Sequence, residues 1–127
     1  MSRAARSVRW FGVYIVILGM VLVFAPNVLL SIFRVPETRE VWIRVLGIVV
    51  FDLGVLYWYA GQSEAGSLFR ATIATRTLVL VAFVVFVALG MVAPVVILFG
   101  AVDFGGGLWT AWAIRADRGK PVIAAAT

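Results

Sequence analysis

Four runs of apolar residues alternate with short breaks rich in charge, Gly or Pro, and this alternation dominates the chain. A hydrocarbon core about 30 Å thick takes about 20 helical residues to cross. The runs therefore predict membrane spans at about 8–25, 41–60, 69–91 and 94–114. The last of these is almost wholly apolar and carries one charge, Asp103, near its middle. Holding an ionised carboxylate there costs roughly 2.5–3.5 kcal/mol on insertion scales, so something must offset it.

The breaks give the organisation between spans. Arg3, Arg6 and Arg9 precede the first apolar run in the manner of a signal sequence, but Pro26 stands where a peptidase needs small residues, so an uncleaved span is expected. Proline disfavours helix in the residue before it and suits the first turn of a new helix, which predicts a short interfacial helix at about 26–33. Pro36 is expected to open the second span, with Glu37 and Glu40 near its positive end. Tyr57, Trp58 and Tyr59 read as an aromatic belt closing that span. Residues 61–67 form a polar turn whose Ser67 is placed to cap the third helix, and the tail 115–127 opens with Arg115, Asp117, Arg118 and Lys120 before a small-residue stretch that reads as disordered.

Counting Lys and Arg on each side fixes the expected orientation. With the N-terminus inside, Arg3, Arg6, Arg9, Arg70, Arg76, Arg115, Arg118 and Lys120 face the cytoplasm and Arg34, Arg39 and Arg44 face out. That is eight against three of the 11 basic residues, which predicts an all-α four-span bundle with both termini in the cytoplasm. The 127 residues form one membrane domain, 64% hydrophobic and 13% charged, where a soluble chain has about a quarter charged. The net charge of +5 is explained by basic residues at span ends, so nucleic acid is not an expected partner.

With no Cys and no His, the chain lacks thiol nucleophiles, Cys/His zinc sites, haem imidazole ligands and CxxC redox chemistry. No metal, cofactor or catalytic set is expected, and the chain does not read as an enzyme. Chemistry concentrates instead in the mid-span charges. At about 1.5 Å per residue, Asp52 and Asp103 both fall near the midplane, and Arg76 lies about two turns into the third helix, where it must reach the interface or find an anion. Helical neighbours recur at three, four and seven residues. Around Asp103 these include Gly100, Gly106, Gly107 and Thr110, small residues that let helices approach, so Asp103 is expected to point into the bundle. Around Asp52 the stripe is bulky and ends in Tyr59. Gly12 and Gly19, and Gly47, Gly54 and Gly61, recur at seven-residue spacing and predict a close antiparallel seam between the first two spans.

Three functional readings follow for the candidate set Asp52, Asp103, Arg76, Thr110 and Tyr59: a structural polar cluster, a site for a proton, ion or polar ligand, and acids that face a partner. The segments Arg44-Val45-Leu46-Gly47, Asp52-Leu53-Gly54 and Phe99-Gly100-Ala101-Val102-Asp103 distantly resemble the DoxX-like group of small bacterial four-helix membrane proteins. The resemblance implies an acid before a Gly in the second span, here Asp52 and Gly54, and a place beside quinone-linked or redox partners. The expected function is that of an accessory or scaffold subunit in a bacterial or archaeal cytoplasmic membrane, acting through helix packing. Its expected partners are the lipid bilayer and a second copy or another membrane protein. The alternative is an oligomeric small-molecule, ion or proton pathway using Asp52 and Asp103.

Overall fold

The computed structural model describes residues 1–119. They form five helices: α1 Arg3–Phe24, α2 Pro26–Ile32, α3 Trp42–Gln62, α4 Gly66–Ala88 and α5 Val96–Arg118, with no strand among the described residues. Helices α1, α3, α4 and α5 are long and apolar enough to cross a membrane, so this is a small multi-pass membrane protein with an all-α four-span fold. The short α2 follows a break at Ala25, where the backbone leaves the helix (φ −143°, ψ 57°) and Pro26 restarts it.

The packing is centred on α1. It lies against α3 along almost its whole length, against α5 on another side, and against α4 more briefly, while α4 packs mainly on α5. Although a short turn joins them, α3 and α4 hardly touch. The α1–α3 contact is close because glycines face each other at two levels: a Cβ on Gly19 would sit 2.5 Å from the Phe51 nitrogen, and one on Gly54 would sit 2.6 Å from the Val16 nitrogen. Gly12, Gly47 and Gly61 lie in the same seam, Gly61 against Ala5 and Arg9. With no solvent-driven attraction between spans, such close backbone approach is the main source of van der Waals gain.

Several boundaries differ from expectation. The first helix starts at Arg3 rather than near 8, because Ser2 and Asp117 satisfy its free N–H groups and Glu64 holds the capping Ser2 in place. Ser2 Oγ accepts from the Ala5 N–H, and Asp117 accepts from the N–H groups of Arg3 and Ala4 at 3.1 and 3.0 Å. Glu64, in the α3–α4 turn, accepts from Ser2 N–H and Ser2 Oγ, both at 2.6 Å. These bonds gather the N-terminus, the α3–α4 turn and the end of α5 at one end of the bundle. Helix α5 runs on through Arg115, Asp117 and Arg118, expected in the tail, and Asp117 ties that end to α1; the disorder expected of the small-residue stretch after Lys120 lies outside the described residues.

Pro36 does not open α3, which starts at Trp42 with no acid in its first turn. Arg44, in the first turn of α3, instead serves α1, donating from Nη1 to the Val23 carbonyl in the last turn of that helix, where cations are favoured. Ser67 does not cap α4, whose N-cap is Ala65. That helix ends at Ala88 rather than 91, because Gly90 takes a left-handed φ of 72° and turns the chain toward α5.

Candidate functional site

The polar centre of the bundle is built around Arg76, which is 2% exposed. Phe69, Thr72 and Arg76 form the buried stripe of α4, and Gly100, Gly107, Thr110 and Ala113 that of α5, each at helical spacing. Gly107 makes room for the arginine stem: a Cβ there would lie 3.7 Å from its Cβ and Cδ. Gly106 lies 3.5 Å, measured the same way, from Arg76 Nη1, and 2.8 Å from the Phe11 ring. The small residues around Asp103 thus serve the arginine of the neighbouring helix.

The guanidinium carbon lies 3.9 Å from the centre of the Phe11 ring and 5.0 Å from that of Tyr57, within cation–π range. Its Nη1 donates to Thr110 Oγ1 at 3.2 Å. Thr110 Oγ1 is 2.8 Å from Ser7 Oγ and 3.1 Å from the Gly106 carbonyl, and Ser7 Oγ is 2.7 Å from the Ala4 carbonyl. Two hydroxyl protons serve three acceptor contacts, so one contact is without a proton at any instant. The chain of contacts links α4, α5 and α1 in one buried network.

Among the described residues, two arginine donors, Nε and Nη2, have no hydrogen-bond partner. Asp103 is half-buried and acts on Arg76 and on Tyr14 through the field of its charge, without forming an ion pair with the arginine. A buried N–H left unpaired costs about 1–3 kcal/mol. Arg76 therefore neither reaches the interface nor closes on a carboxylate, the two outcomes expected of it; it turns inward and rests on aromatic faces.

Asp52 is elsewhere. It stands midway between Trp42 and Gln62, but its side chain is exposed on the face of α3 turned away from α1. Among the described residues it has no hydrogen-bond or ion-pair partner. The two acids stand on different sides of the bundle, Asp52 on the outer face of α3 and Asp103 on α5, with α1 packed against both helices. Tyr59 is 65% exposed and joins neither acid. Of the candidate set, the structure brings together Arg76, Thr110 and, at longer range, Asp103, and leaves out Asp52 and Tyr59.

Ser7, Phe11, Tyr14 and Tyr57 complete the centre; sequence reasoning passed over the first three and placed Tyr57 in an interfacial aromatic belt, whereas its ring is buried in the bundle against Phe11. Tyr57 carried a signal, standing three residues after Gly54 and four before Gly61 and hence on the seam face of α3. Ser7, Phe11 and Tyr14 are spaced for one face of α1, but Ser7 falls within the arginine-rich lead and reads as outside the membrane. Beside Tyr14, an open groove of about 590 Å³ runs between α1, α2 and α5, lined by apolar side chains including Leu29, Phe33 and Phe99. Among the described residues no cluster of acids suited to a metal ion occurs. No protein-family model, no curated protein and no solved structure matches this chain.

Proposed function

We propose that this protein is an accessory or scaffold subunit that associates laterally with other membrane-spanning helices through the outer face of α3. One observation carries the reading: Asp52, midway along a span, faces away from the bundle, and no described residue of its own chain pairs with it. Ionisable side chains within spans almost always face protein or a water-filled cavity. A carboxyl group on the outside is therefore a group awaiting a neighbour. The internal network around Arg76 plays a different part in this reading, fixing how α1, α4 and α5 pack so that α3 presents one defined face.

Photocrosslinkers placed in native membranes test the proposal. A probe at Val49, on the Asp52 face, captures a membrane-spanning chain, and the capture falls when Asp52→Leu is added. A probe at Leu78, 65% exposed on α4, captures lipid only. Equal capture from both faces refutes the reading.

A second reading, a pathway for a proton, ion or small polar molecule, draws support from the unpaired Nε and Nη2 of a buried arginine close to Asp103. Flux in proteoliposomes tests it. Under this reading Asp103→Asn abolishes transport while leaving the thermal melt unchanged; under the scaffold reading no flux above empty liposomes is seen.

A further inference from the structure

Asp52 occupies the centre of a regular stripe. Val45, Val49, Asp52, Leu56 and Tyr59 are spaced by alternating steps of four and three, the spacing of a seam between two helices, and all five are exposed. The stripe is free along its length because the opposite side of α3 is taken up by α1 and α4 hardly reaches it. Among the described residues, α4 gives a partner no comparable polar mark, and Asp103 on α5 is partly covered by the bundle where Asp52 is exposed. On α4 the outward side chains include Leu78, Val81 and Val85, and Thr75 and Thr77 donate to carbonyls of their own helix.

We propose that the occupant of this face is a second copy of the chain, packed α3 against α3 about a two-fold axis along the membrane normal, with the Asp52 carboxyl groups meeting at the centre. The proposal rests on the docking role given to Asp52 above and names the partner. A two-fold axis along the normal preserves depth, so Asp52 finds Asp52 at its own level without any further coincidence. Two carboxyl groups held face to face hydrogen-bond through a shared proton, which removes one charge from the lipid and gives both side chains a partner. A head-to-tail contact between copies lacks the matching group, because the mid-span cation, Arg76, is buried. The alternating stripe then extends the contact on both sides of the acids.

The absence of cysteine makes the test direct. Val49→Cys, Leu56→Cys and, as a control, Leu78→Cys are introduced singly into the full chain and oxidised in native membranes. Val49→Cys and Leu56→Cys are expected to give a species of twice the 13.8 kDa monomer, and Leu78→Cys none. Adding Asp52→Leu weakens association roughly tenfold and removes most of that species, whereas Asp52→Asn, whose amides still pair, keeps it. The Asp52→Leu chain melts at the wild-type temperature, since Asp52 has no partner among the described residues of the monomer. A disulfide-linked dimer insensitive to Asp52→Leu, or one formed equally by Leu78→Cys, overturns the proposal. Photocapture of a different chain at Val49, lost on Asp52→Leu and accompanied by no cysteine-linked dimer, overturns the second copy but keeps the docking role. No dimer and no captured chain from the Asp52 face defeats both.

Discussion

Adding one methyl group to the α1–α3 seam tests the packing on which the whole arrangement rests. In Gly19→Ala the new Cβ lands 2.5 Å from the Phe51 nitrogen, 2.7 Å from its Cα and 2.8 Å from the Gly47 carbonyl oxygen, against 3.4 Å for ordinary contact. The obstacles are backbone atoms of another helix, so rotamer changes give no relief, and α1 and α3 must part locally by about 0.9 Å, the shortfall from 3.4 to 2.5. A gap of 0.5–1 Å forfeits about a quarter to a half of the roughly 0.1–0.2 kcal/mol held by each atom pair, so about 40 affected pairs lose about 1–4 kcal/mol. That range matches the roughly 1–3 kcal/mol found for overpacked cores. Gly105→Ala is the control, since nothing lies within 4 Å of its added carbon. In thermal unfolding of the detergent-solubilised protein, Gly19→Ala is expected to melt well below wild type and Gly105→Ala at or slightly above it. Equal melting temperatures for the two variants would refute the seam.

Three further predictions concern the polar centre and the clamped end. Arg76→Met is expected to melt at or above the wild-type temperature, because it fills the same cradle and removes two unpaired donors, whereas Arg76→Ala leaves a cavity and melts lower by about 2–5 kcal/mol of stability. A marked loss in Arg76→Met would show that the charge itself holds the bundle. Thr110→Val takes away the acceptor of Arg76 Nη1 and the neighbour of Ser7, and should cost about 1–3 kcal/mol in the same melt; a cost below a few tenths would mean the network is not buried. Asp117→Ala removes the acceptor for the Arg3 and Ala4 N–H groups, which should cost about 0.5–2 kcal/mol and speed hydrogen exchange at residues 3–6; unchanged exchange would contradict the clamp.

The sequence by itself determined the number of spans, their approximate bounds and the break at Pro26, because apolar run length and proline geometry are local properties of the chain. The α1–α3 seam was legible too, since a seven-residue glycine repeat keeps to one helical face whatever lies opposite it. Position along a helix was legible for the same local reason, as each residue adds a fixed rise, and it put Asp52 at the middle of α3. What a side chain meets there depends on which helices are neighbours, and this only the tertiary structure decided. By standing between α3 and α5, α1 turned Asp52 outward and left Asp103 near Arg76, so the two acids came to face different surroundings. Arg76 turned inward because glycines on α5 left it space and rings from α1 and α3 covered its guanidinium, an environment assembled from three other helices. The start of α1 was likewise set from a distance: three arginines in its first turns read as a charged lead, but Asp117, 113 residues beyond Ala4, accepts from its first amides, and Glu64, 62 residues beyond Ser2, fixes the cap that makes that lead helical.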